Sequence, residues 1–419
     1  MTIRILHTAD LHLDSPLRSL AMRNPALEAR VRMASRVALE NMVRYCLDED
    51  VQALLIAGDL YDGQERSAKT AAYFATQMQR LGAAGIQVFY IKGNHDAENP
   101  ISGEIALPDN VHVFDGRGGK ARLGETDIWI HGVSFRDKHA PDSLLAKYPP
   151  PVPSAINIAM MHTSLSGAVG HDPYAPCTVA DLAASGFDYW ALGHVHKREV
   201  HGQDPWIVMP GMPQGRDIGE AGAKSATLLS IDAGRIAISE VATSVVEFRD
   251  VTCDLGALDG HDGVRNALRA ALRAQSKAGA AIVRVRLSGE TPIAWQIRRD
   301  ADYWHETAEA LAEDLGNVWI EKLILDLRSP EAGQGTGEGA GQGAGVNATQ
   351  DLQHLMEDIR AEPGFIAGAR AELEQILALL PAERRRDLAP DEDARDALLT
   401  RLTTDAVLSM AAQLRGRDT

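Results

Sequence analysis

In the first half of this chain, one short apolar run after another ends in a histidine, aspartate or asparagine. "IRIL" leads into "HTADLH" with Asp10 and His12, "LLIA" into Gly58 and Asp59, and "VFYI" into "KGNHD" with Asn94, His95 and Asp96. "IAMM" then precedes His162, and "YWAL" precedes His194 and His196 of "GHVH". Apolar runs of this length bounded by turn residues read as buried strands. In α/β sheets, ligands bind beyond the carboxyl ends of strands, where loops converge on a rigid base. A lone D-x-H or G-H-x-H motif is weak, but five such pieces in the same relation to five strands point to one shared site.

The spaces between the runs set the fold class. Pro25 to Leu47 and Lys69 to Leu81 carry apolar residues at helical spacing, giving β-α-β units at the start. "IWIH" and "WIVM" add strands later, so residues 1–244 read as a layered α/β domain of β-sheets flanked by helices. Residues 245–328 alternate strand and helix patterns on a smaller scale, as expected of a small α+β domain. Residues 329–347, "SPEAGQGTGEGAGQGAGVN", lack apolar periodicity and read as a flexible Gly-rich linker. Residues 348–419 return to helical spacing, with Pro363 and Pro381 as expected breaks. They total too little chain for a strong core of their own, so packing on each other or on a partner is expected.

Composition excludes several classes. The formal charge of -16 argues against a protein that grips nucleic acid through overall basicity, so any polyanion site must be local or supplied by cations. Cys46, Cys177 and Cys253 are far apart and odd in number, which speaks against a disulfide framework or a Cys-based zinc site. "MTIRILHTADLHLD" has no signal-peptide core, and no apolar run is long enough to span a bilayer. A cytoplasmic protein without membrane association is expected.

Carboxylates and imidazoles together suit Mn, Fe or Zn better than Ca or Mg. So many donors would overfill one ion. They suit two, about 3.5 to 4 Å apart with a shared carboxylate, an arrangement used for in-line displacement at phosphorus.

Taken together, "DLH", "GDLYD", "GNHD", His162 and "GHVH" resemble the signature series of the calcineurin-like metallophosphoesterases across the first domain. The resemblance implies that Asp10, His12, Asp59 and His196 hold one metal. It implies that Asp59, Asn94, His162 and His194 hold the other, with Asp59 bridging. His95 is then the acid-base and phosphate-contacting histidine, and Asp62 or Asp96 its partner. The implied chemistry is attack on phosphorus by a metal-activated water. His201, nearby in "GHVHKREVHG", has no counterpart in the series and reads as an ordinary loop or strand residue.

Departures from the pattern narrow the choice. Gly63 follows Asp62 where the protein Ser/Thr phosphatases carry Arg, and Asp62 stands where purple acid phosphatases need a tyrosine ligand. "TADLHLDSPL" and "PGMPQGRDIGE" look most like the SbcD-type and YhaO-type DNA repair exonuclease group, whose capping domain residues 245–328 match in position and size. That resemblance implies a two-metal DNA nuclease, an exonuclease with endonuclease activity as an option, with Mn2+ the favoured cofactor. DNA is the implied substrate, and an SMC-like coiled-coil ATPase the implied partner of the helices after residue 348; a homodimer is compatible. Arg216 is the candidate phosphate contact. Arg18, Arg23, Arg30, Arg32, Arg36 and Arg44 form either a basic track or a solvated helix face. The alternatives are a phosphodiesterase or nucleotidase acting on small nucleotides, and a scaffold with a degenerate site; filled ligand positions disfavour the scaffold. Since the chain is acidic, its binding to DNA without metal is expected to be weak and to fall steeply with salt in fluorescence anisotropy. Tight metal-free binding at high salt would contradict this.

Overall fold

The structure, a computed structural model, describes residues 2–15, 25–62, 67–98, 106–138, 140–165, 174–256, 258–276, 279–328, 344–380 and 382–415. It divides into two compact units, residues 1–250 with 276–283, and residues 251–275 with 284–419.

The first unit opens with β1 (Ile3–Thr8), α1 (Pro25–Asp48), β2 (Ala53–Ala57), α2 (Ala68–Ala83), β3 (Gln87–Ile91), α3 (Asn94–Glu98) and β4 (Val111–Val113). It continues through β5 (Gly119–Arg122), β6 (Ile128–Gly132), β7 (Ile156–His162), α4 (Val179–Ala184), β8 (Tyr189–Gly193), β9 (Glu199–Gln203) and β10 (Trp206–Met209). β11 (Ser225–Asp232) and β12 (Arg235–Ala242) complete it. The strands form two six-stranded sheets, ordered β12-β11-β1-β2-β3-β4 and β5-β6-β7-β8-β10-β9. β1, β2 and β3 run parallel, as do β6, β7 and β8.

Alternation along each strand builds the layers. Ile5, Leu55, Phe89 and Ile91 join Ile130, Ile158, Met160 and Tyr189 in the core between the sheets. Their neighbours Leu6, Leu54, Ile56 and Tyr90 meet Leu39, Met42, Phe74 and Met78 of α1 and α2 on the outer face. Trp190, Leu192 and Met161 cover the far side of the second sheet with Leu182 of α4. Both faces of the central strands are therefore buried, which is why they read as unbroken apolar runs. The sequence left open how many sheets the runs would form. Two sheets arise because β11 returns antiparallel beside β1 while β5 to β10 pair only among themselves.

β13 (Val246–Asp254) and β14 (Ala280–Glu290) each begin in the first unit and end in the second, which also holds α5 (His261–Gln275), α6 (Ala294–Arg299), α7 (Ala301–Glu313) and β15 (Val318–Arg328). The sheet order is β13-β14-β15; α5 packs on α7, and α7 on β15, around buried Val264, Leu268 and Trp304. Beyond it lie α8 (Ala344–Ala361), α9 (Pro363–Ala378), α10 (Ala382–Leu388) and α11 (Glu392–Arg415). α8 starts inside the Gly-rich stretch, where Gly345 falls in a first turn whose amides need no intrahelical partner; residues 329–343 and Pro381 lie outside the described residues. Pro363 opens α9 at its first turn, where its missing N–H costs nothing. α11 packs on α6 and α8, and Leu373, Leu377, Leu398 and Leu399 form a small shared core. Leu355, Ile359, Ile376, Leu379 and Leu402 of these helices remain exposed. Among the described residues, no helix is long and apolar enough to cross a membrane.

Trp190 is fully buried against Tyr148 and Phe187, and its indole N–H donates to Leu182 O at 3.0 Å. Trp190→Ala is expected to destabilise the protein by about 3 to 5 kcal/mol, read as a lower urea midpoint.

Candidate metal centre

The parallel registers align strand ends. Thr8 pairs with Ile56, Ala57 with Ile91, and His162 with Gly193, so Asp10, Asp59, Asn94, His162 and His194 emerge at one edge of the two sheets. The loops there are wound unusually. Asp10, His12, Asp59 and His194 all adopt positive φ, at 53°, 40°, 52° and 103°. Such backbone is costly for residues with a Cβ and clusters at functional sites. It holds because Asp10 N donates to Gly58 O, His12 N donates to Asp59 O, and His194 N donates to the Asp10 carboxylate.

Two glycines make room for the donors. Gly58 has φ of 95°, and a Cβ there would run into the His162 ring. A Cβ on Gly93 would strike Asp59 Oδ1 and approach His162 Nε2 to 2.8 Å. The glycines before Asp59 and Asn94 are thus steric requirements of the cluster.

Among the described residues three groups of donors come within reach of one another, one of them His12, Asp62 and His95. Of the other two, Asp10, His12 and His196 make one, with His12 Nε2 and His196 Nε2 facing each other at 3.3 Å. Asp59, His162 and His194 make the other, with His162 Nε2 at 3.3 Å from both Asp59 Oδ2 and His194 Nδ1. Asn94 Oδ1 joins the second group, 3.0 Å from His162 Nε2. Asp59 Oδ2 lies 3.9 Å from His12 Nε2, so this carboxylate stands between the two groups. Asp10, His12, Asp59, Asn94 and His162 are all buried.

The electrostatics of the cluster show how its buried charges are balanced. Burial would push the Asp59 carboxyl up, but the charge and hydrogen bond of His162 outweigh it and hold the pKa well below the usual carboxylate range. Burial likewise works against the His162 imidazolium, yet Asp59 raises its pKa to about 9. A proton on His162 thus does what a cation would do, and divalent ions invert this local logic by displacing it. The donor chemistry fits two divalent cations: carboxylate and imidazole donors converge in each group, with facing nitrogens 3.3 Å apart in both.

His95 stands beside the cluster, its ring 4.9 Å from that of His12. Its Nδ1 lies 3.6 Å from Asp62 Oδ1, and Ser15 Oγ donates to the other oxygen of Asp62 at 2.8 Å. Burial opposes the His95 imidazolium, but pairing with Asp62 and the nearby carboxylates raise its pKa above the ordinary value; Asp62 falls to about 2, first through His95. Asp96 has a different task. Its carboxylate accepts from the backbone N–H groups of Leu60, Tyr61 and Gly93, tying together the two loops that carry Asp59 and Asn94. Of the two carboxylates, Asp62 is the one that faces His95 Nδ1.

Sequence reasoning passed over Glu220. It sits four residues after Arg216 in "QGRDIGE", and its Oε1 accepts from His196 Nδ1 at 2.7 Å. Arg216 donates to Glu220 through Nη2 at 2.8 Å and through its backbone N at 2.7 Å. The Arg216 guanidinium therefore lies beside the cluster but is neutralised by a carboxylate. On α1, Arg36 pairs with Asp14 and Arg44 donates to Asn41; Arg18 and Arg23 lie outside the described residues, as do the side chains of Arg30 and Arg32. His201 lies in β9 beside Glu199 of the same strand, its Nε2 3.7 Å from that carboxylate, and joins none of these groups. A cavity of about 610 Å³ opens over the cluster, lined in part by His95, Tyr174, His194, Lys197 and Lys224.

The comparisons with known proteins agree with this geometry. Residues 3–198 match the calcineurin-like phosphoesterase family model, and the chain carries a calcineurin-like metallophosphoesterase domain. Residues 248–328 match the middle domain of the metallophosphoesterase YhaO. The chain is 36% identical over 239 residues to an uncharacterized metallophosphoesterase YhaO of Bacillus subtilis (strain 168), covering 56% of this chain and 59% of that one. It is 28% identical over 233 residues to a DNA double-strand break repair protein Mre11 of Methanopyrus kandleri, covering 51% and 49%. A match to one component of the SbcCD nuclease of Rhodobacter capsulatus, 32% identical over 142 residues, covers 32% of each chain. The chain thus spans about half to three fifths of the length of the first two of these relatives.

The close approach at Gly93 makes it a clean probe of the centre. Gly93→Ala should displace Asp59 and His162 and weaken Mn2+ binding by at least about tenfold in calorimetric titration, as for other changes that disturb how ligands are held.

Proposed function

We propose that this protein is a two-metal-dependent DNA nuclease, an exonuclease acting in DNA repair, with Mn2+ as cofactor. The observation that carries the proposal is the pair of donor groups sharing Asp59, with the His95–Asp62 pair at the rim. Asp10, His12, Asp59 and His196 would hold one cation, and Asp59, Asn94, His162 and His194 the other. Bound there, the cations supply Lewis acidity that activates water and neutralises charge developing on the phosphate.

The chain's own residues do the rest. Asp59 spaces the two groups, and the carbonyl of Ala57, accepting from His162 Nδ1 at 2.9 Å, turns Nε2 of that ring toward the centre. His95 donates a proton to the leaving oxygen or a hydrogen bond to the phosphate, and Asp62 keeps the ring protonated and oriented. Half-exposed at the cavity rim, His95 can reach a phosphodiester that the buried ligands cannot.

DNA as substrate draws support from the relatives named for double-strand break repair and for the SbcCD nuclease. Residues 245–328 act as the capping domain in this reading. The exposed apolar side chains of residues 348–419 are offered to an SMC-like ATPase, and the protein works in the cytoplasm. A second reading, hydrolysis of small nucleotides, is favoured by the cavity, since about 300 to 1,000 Å³ is the range of small-molecule sites. Mn2+-dependent cleavage of single- and double-stranded DNA, assayed beside a small chromogenic diester, separates them: activity on the diester or on nucleotides alone would favour the second. His95→Ala should lower kcat by about 10²- to 10⁴-fold with Mn2+ still bound, and wild-type turnover in that variant would remove His95 from its role.

A further inference from the structure

His196 is held from behind by a side-chain carboxylate, an arrangement that differs from those of His162 and His12. His162 Nδ1 turns to the backbone carbonyl of Ala57, and His12 Nδ1 has no hydrogen-bond partner among the described residues. Two groups converge on His196 Nδ1. Glu220 Oε1 lies 2.7 Å away, and Arg216 Nη2 lies 3.3 Å away. They make opposite demands. A carboxylate only accepts, so it requires a proton on Nδ1 and leaves Nε2 with its lone pair; a guanidinium only donates, so it favours a bare Nδ1 and a proton on Nε2.

Only the first tautomer can bind a cation from Nε2, the nitrogen that faces His12. We propose that Glu220 is a positioning residue that fixes His196 in its metal-binding tautomer, and that Arg216 serves the centre by anchoring Glu220 rather than by contacting phosphate. The proposal rests on the two-metal reading. Distance favours the carboxylate over the guanidinium. Arg216 is also committed to Glu220, through Nη2 at 2.8 Å and its backbone N at 2.7 Å. The Glu220 side chain is only 13% exposed, so water is poorly placed to substitute for it. The turn that carries it is itself fixed, with Asp217 accepting from Gly219 N at 2.8 Å.

The competition gives a test that simple loss of packing would not mimic. In Glu220→Ala, Arg216 is left as the nearest partner of Nδ1, so His196 should shift to the Nε2–H tautomer. Long-range 1H–15N spectra of the metal-free protein, at a pH where the imidazoles are neutral, read this directly. Mn2+ titration followed by electron paramagnetic resonance should show one site weakened by about 10- to 100-fold and the other retained. The double variant Glu220→Ala/Arg216→Met should bind the weakened ion more tightly than Glu220→Ala alone, because the competing donor is gone. Unchanged affinity and tautomer in Glu220→Ala, or a double variant no tighter than the single, would overturn the proposal. If Glu220→Ala fails to fold by circular dichroism, the isosteric Glu220→Gln carries the test, with an intermediate loss of affinity expected and no change overturning it. Wild-type protein that binds fewer than two ions would instead sink the two-metal reading itself.

Discussion

The molecule depends on how buried carboxylates are neutralised at the strand ends. Asp10 and Asp59 are 0% and 2% exposed, in surroundings where an isolated charge would be prohibitively costly. Imidazolium protons can meet the need, and His162 does so for Asp59. Divalent cations would meet it with more charge and could take the facing imidazole nitrogens as ligands together. The left-handed loop residues, the glycines in close contact and the backbone hydrogen bonds to Asp10 and Asp96 are all devices for delivering those donors to one point.

Much of this was legible in the sequence, for a physical reason. Strands buried on both faces leave unbroken apolar runs, and a polar residue at the end of such a run has few places to go except a shared edge. The runs before His12, Asp59, Asn94, His162 and His194 therefore disclosed the strands and the edge at which their polar ends gather. What stayed hidden depends on tertiary pairing. β4, β5 and β9 are short and partly exposed, with no periodicity to announce them. The split into two sheets follows from which strands pair, and pairing leaves no local trace. Asp62 and Asp96 could not be separated as partners of His95 because both lie a few residues from a ligand; only the three backbone amides gathered by Asp96 assign it to the loops. Glu220 was in view within "QGRDIGE", but nothing in the spacing tied it to a histidine 24 residues earlier.

The acidic balance of the chain also takes on a different meaning. A protein that bound polyanions by surface basicity would need more lysine and arginine than this one has, and the arginines of α1 that are described are taken up by Asp14 and Asn41. Arg216 is likewise occupied by Glu220. In the proposed reading, affinity for a phosphate backbone would then come chiefly from the centre and the lysines at its cavity, Lys197 and Lys224.

The positive φ angles of Asp10, His12, Asp59 and His194 carry a last consequence. Each costs of order 1 to 3 kcal/mol when nothing over-determines it, and the backbone hydrogen bonds of Asp10, His12 and His194 over-determine it here. The strand-end loops therefore spend part of the first unit's stability on holding donors in place. In the two-metal reading, bound cations would add to that hold, so metal loading would steady the loops as well as complete the centre.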